Sequence, residues 1–223
     1  VKPAVVSDFD GTITVGEVSH ALMGRFAEGD WRHENDLLFQ GKLTVVETLR
    51  RQFAMIRRPR EELDRFVKET TVLREGFAEF ARYCLDSGIP LSICSAGMDI
   101  YIQAALGHFP WFNRIPVVVG KANFTPDGIR VDFPQGRDGL DFKATLVEEM
   151  KAQGYAVVYL GDGVSDEGAA LHADFVFARD RLLALCQSKD IRHSAYEDFH
   201  QIRRGLEFLL KGDLRDSLDR ARR

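Results

Sequence analysis

The sequence predicts an α/β protein: a parallel sheet with helices on both faces and a helical insertion after the first strand. Three observations carry that expectation. Short apolar runs alternate with helical stripes along most of the chain, the order that builds a parallel sheet between helix layers. Ala156-Val157-Val158-Tyr159-Leu160 is apolar almost throughout, as strands buried on both faces are. Polar clusters at Asp8, Ser95 and Asp162 each follow an apolar run directly, and ligands in such sheets bind beyond the carboxyl ends of the strands.

Taken in order, the first strand runs through Val5-Val6-Ser7 and stops at Asp8-Phe9-Asp10-Gly11. Residues 16 to 72 are helical in character. Thr44-Val45-Val46-Glu47 has the form of a capping box and opens a helix with Val46, Leu49, Phe53 and Ile56 at helical spacing. Arg58-Pro59-Arg60 interrupts it, and Glu61 and Glu62 suit the first turn of the next helix. Phe77, Phe80, Ala81, Cys84 and Leu85 form an apolar stripe that Gly88 ends. A strand over 89–94 stops at Ser95-Ala96-Gly97, and a helix follows from Asp99 to Leu106. Strand-like Pro116 to Val119 precedes a hairpin over 123–131 with Asp127-Gly128 at its turn. Asp141 is placed to cap a helix that carries Lys143 in its first turn and ends at Gly154. The strands 156–160 and 175–177 and helices near 182–186 and 196–210 complete the chain. This order divides it into a core of residues 1–14 and 73–223 and a helical cap of residues 15–72.

Composition narrows the function. The 223 residues are 45% hydrophobic and 29% charged, an ordinary globular balance. A net charge of -4 argues against nucleic-acid binding, which leaves a basic footprint. Arg57-Arg58-Pro59-Arg60 and the Arg-rich last ten residues read as solvated helix ends. Cys84, Cys94 and Cys186 form no CxxC pair, and their odd number suits a reducing compartment. No apolar run approaches the ~18 residues of a membrane span, and the first residues lack the pattern of a signal peptide. A cytoplasmic protein without membrane or nucleic-acid partners is expected.

The clusters predict phosphoryl chemistry. Asp8 and Asp10 share a strand face, and with Asp162 and Asp166 they bring four carboxylates to one end of the sheet. Such a group calls for a hard cation with oxygen ligands, above all Mg²⁺. Lys143 offers a positive charge beside helix N-terminal amides, a place for phosphate, and Ser95 with the amides of Ala96 and Gly97 offers another. No Walker sequence is present. An aspartate can serve as nucleophile through an acyl-phosphate. Asp8 would attack phosphorus, and Asp10 would protonate the leaving alcohol and then activate water, which requires a raised pKa.

Asp8-Phe9-Asp10-Gly11-Thr12, Ser95, Lys143 and Gly161-Asp162-Gly163-x-x-Asp166 together resemble, in order and over the whole chain, the four motifs of the haloacid dehalogenase superfamily. The resemblance implies a Rossmann-like core with a small helical cap inserted after the first strand. It implies Asp8 as nucleophile and Mg²⁺ held by Asp8, the main-chain carbonyl of Asp10, and Asp162, with Asp166 and Thr12 standing behind these ligands. Members that act on halogenated acids lack the second aspartate, so Asp10 favours phosphate chemistry.

Within the superfamily the chain resembles the phosphoserine phosphatase group. Leu73-Arg74-Glu75-Gly76-Phe77, Gly97-Met98-Asp99, Phe177-Ala178-Arg179-Asp180 and Tyr196-Glu197-Asp198-Phe199 resemble more closely the phosphatases of methionine salvage. The cysteine-rich stretch of that group is absent before Lys143. Glu17 and Arg50 fall where phosphoserine phosphatases hold the amino and carboxylate groups of their substrate, whereas Ser95-Ala96-Gly97 and Ser165 depart from that group's pattern. The expectation is a Mg²⁺-dependent phosphatase of a small phosphorylated metabolite. An idle phosphometabolite-binding protein and a phosphomutase are the alternatives.

Overall fold

Seven strands, β1 (Lys2–Ser7), β2 (Leu91–Met98), β3 (Val117–Thr125), β4 (Gly128–Asp132), β5 (Tyr155–Gly161), β6 (Phe175–Ala178) and β7 (His193–Ala195), form a sheet in the order β4-β3-β2-β1-β5-β6-β7. The computed structural model describes residues 2–137 and 141–213; the Arg-rich last ten residues lie outside them. The described helices are α1 (Val18–Phe26), α2 (Trp31–Phe39), α3 (Val45–Ala54), α4 (Arg60–Thr70), α5 (Phe77–Asp86), α6 (Asp99–Leu106), α7 (Phe142–Ala152), α8 (Glu167–His172), α9 (Asp180–Ser188) and α10 (Phe199–Phe208). The pairings β1–β5, β2–β3, β5–β6 and β6–β7 are parallel, and β3–β4 is antiparallel. The α/β class predicted from the alternating pattern is the class observed. Among the described residues no helix is long and apolar enough to cross a membrane.

The chain divides into two compact units, one of Val1–Asp8, Leu73–Ser92 and Gln135–Arg223, the other of Phe9–Val72 and Ile93–Pro134. In the first, Val5 and Val6 of β1 lie opposite Val158 and Tyr159 of β5, and all four are fully buried. The Asp8 N–H donates to the Leu160 carbonyl (2.9 Å), so Asp8 continues the ladder one step beyond β1. On α10, Phe199 meets the rings of Phe77 and Phe80 of α5 at 5.1 and 5.4 Å. Burial pushes the Cys84 thiol up to about 12, as befits a small core residue rather than a reactive one. The three described cysteines are buried and form no disulfide.

In the second unit, the capping box at α3 is present as expected: Thr44 Oγ1 accepts from Glu47 N–H, and Glu47 Oε2 from Thr44 N–H (3.2 and 2.8 Å). Two expectations change. β2 continues through Ser95-Ala96-Gly97 to Met98, and its register slips there: Cys94 pairs with Val118 but Met98 with Gly120, which leaves two extra residues on β2. That bulge re-aims the backbone at the predicted phosphate segment. In the hairpin, Thr125 pairs with Gly128, so Pro126-Asp127 form the two-residue turn and Gly128 opens β4.

Gly128 is glycine for two reasons: its φ is +124°, and a Cβ there would lie 2.0 Å from the Ala54 carbonyl oxygen at the end of α3. Gly128→Ala is expected to destabilise the protein by about 1–3 kcal/mol, seen as a fall in Tm of about 2–10 °C. An unchanged melting curve would show that the hairpin does not press on α3.

Candidate active site

In the first unit, Lys143 on α7 is 1% exposed, yet it carries an ammonium group. A buried cation persists only where partners surround it. Its Nζ lies 2.6 Å from Asp166 Oδ1 and 3.0 Å from Asp8 Oδ2, and it donates to Ser165 Oγ at 3.1 Å. Asp166 is saturated: Oδ1 also accepts from the Tyr159 hydroxyl (2.6 Å), and Oδ2 accepts the N–H groups of Asp162 (3.0 Å) and Gly163 (2.9 Å). Burial pushes Asp166 up, but Lys143 and these bonds hold it below the usual carboxylate range. Asp166 therefore shapes the Gly161-Asp162-Gly163 turn and anchors Lys143. The expected free amides beside Lys143 are partly taken, since Asp141 Oδ1 caps α7 by accepting from Ala144 N–H at 2.8 Å.

Asp8 has the opposite balance. Burial first, then Asp166 and Asp162, drive its carboxyl well above the usual range, and Lys143 only partly opposes them. Ligand atoms of Asp8, Asp162 and Asp166 lie within 4.8 Å of one another. Carboxylate oxygens gathered this closely are hard donors that fit a divalent cation.

In the second unit, the remaining predicted residues occupy defined places. Asp10 Oδ1 accepts from Val18 N–H (2.8 Å), the first amide of α1, and Oδ2 accepts from the Tyr101 hydroxyl (2.6 Å). The Ser19 side chain adds a further bond. Burial nevertheless holds Asp10 above the usual carboxylate range, against Tyr101 and Val18 and with help from Glu17. Thr12 is fully buried behind the turn where Gly11 N–H donates to Thr14 Oγ1 (3.2 Å). Ser95 is buried, its Oγ accepting from Gly97 N–H at 3.1 Å, and Ala96 is half-buried within the bulge. Glu17 is exposed and pairs with His20; Arg50 is exposed, and its Nε donates to the Val131 carbonyl at 3.3 Å.

A family model described as haloacid dehalogenase-like hydrolase matches residues 5–170. The chain belongs to this family. A 2-hydroxy-3-keto-5-methylthiopentenyl-1-phosphate phosphatase of Bacillus velezensis is 30% identical over 212 residues, 92% of this chain and 90% of that protein. One of the same name from Geobacillus thermodenitrificans is 32% identical over 203 residues, 87% of this chain and 91% of that protein. Among solved structures, a phosphoserine phosphatase held as a phospho-aspartyl intermediate analogue aligns with a TM-score of 0.66 at 18% identity, covering 91% of this chain and 98% of that one. A family hydrolase from Salmonella enterica serovar Typhi aligns at 0.70 and 18% identity, over 95% and 73%. These structures share the Rossmann-like fold. The enzyme is a phosphatase of the haloacid dehalogenase family.

Three of the four stretches that resemble the methionine-salvage phosphatases converge in the first unit. Arg74 Nη1 donates to the Glu197 carbonyl (3.3 Å), Phe199 N–H to that of Glu75 (2.9 Å), and the Arg179 guanidinium lies 5.9 Å from the Tyr196 ring centre. Two tyrosines escaped sequence reasoning. Tyr159 reads as one more apolar residue of a buried strand. Tyr101 reads as a face of α6, and the only signal was Gly97 four residues before it. A Cβ on Gly97 would fall 1.5 Å from the Tyr101 hydroxyl oxygen and 2.3 Å from its ring. That glycine thus makes room for the tyrosine that holds Asp10. Tyr101→Phe is expected to lower stability by about 1–3 kcal/mol through loss of a donor to a carboxylate. Gly97→Ala, which strikes the ring as well, is expected to lower it further. Equal denaturation midpoints for the Tyr101→Phe variant and the native enzyme would show that the bond contributes nothing.

Proposed function

We propose that this phosphatase hydrolyses a phosphomonoester of a small metabolite through a phosphoaspartate on Asp8, with Mg²⁺ as cofactor. The observation that carries this is the gathering of the Asp8, Asp162 and Asp166 carboxylates within 4.8 Å of one another beside the Lys143 ammonium. Asp8, Asp162 and the main-chain carbonyl of Asp10 would hold the cation, which screens these carboxylates and polarises the phosphoryl group. Asp166 and Thr12 support the ligands from behind.

In the first half-reaction an Asp8 oxygen bonds to phosphorus as the ester P–O bond breaks. Asp10, two residues further along the chain, gives its proton to the departing alkoxide. In the second, water attacks phosphorus and yields a proton to Asp10, the acyl-phosphate bond breaks, and phosphate leaves with the Asp8 carboxylate restored. The raised pKa of Asp10 supports its part as proton carrier. Lys143, Ser95 and the amide of Ala96 are assigned to the phosphoryl oxygens, and residues 15–72 to a cap that selects the ester. An intact nucleophile and proton carrier argue against a mere phosphometabolite binder.

The substrate we propose is the hydroxy-keto phosphate for which the relatives are named, supported by their identity over nearly the whole chain. A cytoplasmic location belongs to the same proposal and rests on Cys84, Cys94 and Cys186 being reduced thiols. Asp8→Asn is expected to reduce phosphate release from p-nitrophenyl phosphate by about 10³-fold or more, and EDTA to remove activity that added Mg²⁺ restores. Turnover by the Asn variant at the native rate, or activity indifferent to EDTA, would sink the mechanism.

A further inference from the structure

Glu17 occupies the N-cap position of α1, yet its side chain accepts no bond from the helix amides. Its carboxylate turns to Nδ1 of His20 instead, at 2.8 Å. The His20 ring leans on the indole of Trp31, with centroids 5.2 Å apart, and the Arg32 guanidinium lies 4.5 Å from the centre of the same indole. Trp31 is buried, so it is a fixed wall for both. The turn that bears the pair is also fixed, because Val18 N–H and the Ser19 side chain both bond Asp10. The side chains of His20 and Glu17 are 45% and 44% exposed, which leaves them open to a ligand.

A clamp for an amino acid needs one free carboxylate for the ammonium group and one free guanidinium for the carboxylate. Within this unit Glu17 is already matched by His20. Arg50 donates its Nε to Val131 and rests its guanidinium 5.9 Å from the Phe133 ring centre. An incoming ammonium would meet a Glu17 already paired with His20, and the Arg32 cation nearby. With Nδ1 committed to Glu17, His20 presents Nε2 in a set orientation. A hydroxyl can pair with that nitrogen in either protonation state, since it both donates and accepts.

We propose that His20, oriented by Glu17 and Trp31, is a specificity residue that takes a hydroxyl of the phosphorylated substrate and disfavours esters bearing an ammonium group. The proposal rests on the phosphatase function above. The test is steady-state kinetics on fructose 1-phosphate, phosphoserine and p-nitrophenyl phosphate, with the native enzyme, His20→Ala and His20→Gln. Native kcat/KM is expected to favour fructose 1-phosphate over phosphoserine by about tenfold or more. In His20→Ala the ratio of kcat/KM for fructose 1-phosphate to that for p-nitrophenyl phosphate should fall about tenfold, chiefly through KM. His20→Gln, which keeps a hydrogen-bonding side chain, should recover part of it. Native turnover of phosphoserine equal to or above that of fructose 1-phosphate overturns the inference without recourse to any variant. So does an unchanged ratio in a His20→Ala enzyme that melts as the native one does. In both cases p-nitrophenyl phosphate is still hydrolysed, whereas a native enzyme that hydrolyses none of the three esters removes the phosphatase function and this inference together.

Discussion

Lys143 lies in the protein interior with three acceptors around its ammonium group, and much of the first unit is arranged to make that burial tolerable. A lone buried ammonium is worth several kcal/mol of penalty. Asp166 supplies the main compensation, and its own burial is met by Tyr159 from β5 and by two amides of the turn after β5. One ion pair therefore ties α7, β5 and the Gly161-Asp162-Gly163 turn together. Asp8 faces Asp166 and Asp162 as well as Lys143, and burial together with those carboxylates raises its pKa. Asp166 is thereby held toward its charged form, whereas Asp8 is driven toward its neutral one.

The second unit treats Asp10 differently. Its two oxygens are pinned from two sides, one by the first amide of α1 and one by a tyrosine hydroxyl from α6. These bonds favour the charged form, while burial opposes it, and burial prevails. A carboxyl that is both oriented and easily protonated suits a proton carrier. Asp10 takes the Val18 amide at the start of α1, while the Glu17 side chain makes no cap bond and pairs with His20.

Much of this was legible in the chain. Apolar runs ending in Asp8, Ser95 and Asp162, and the Thr44 and Asp141 caps, all report local rules that sequence carries directly. What was hidden depends on distant partners. β7 is a short edge strand, His193-Ser194-Ala195, with no apolar pattern, and it pairs only because β6 offers an open edge. The extension of β2 through Ser95-Ala96-Gly97 needs a bulge that local propensity does not encode. Tyr101 and Tyr159 look like core aromatics because their rings are core; only the hydroxyl partners, Asp10 and Asp166, give them a second role.

Glu17 and Arg50 show why residue type at a matching position is a weak guide to specificity. Both sit where a clamp for a charged amino acid would need them, and both are ionisable. Yet a carboxylate 2.8 Å from an imidazole presents no net negative charge when that ring is protonated, and the bond to Glu17 raises the pKa of His20 against the lowering effect of burial. Specificity for a polar ligand depends on which groups would be left unpaired by the wrong one. Here Glu17 already pairs with His20, and Arg50 already donates to the β4 backbone.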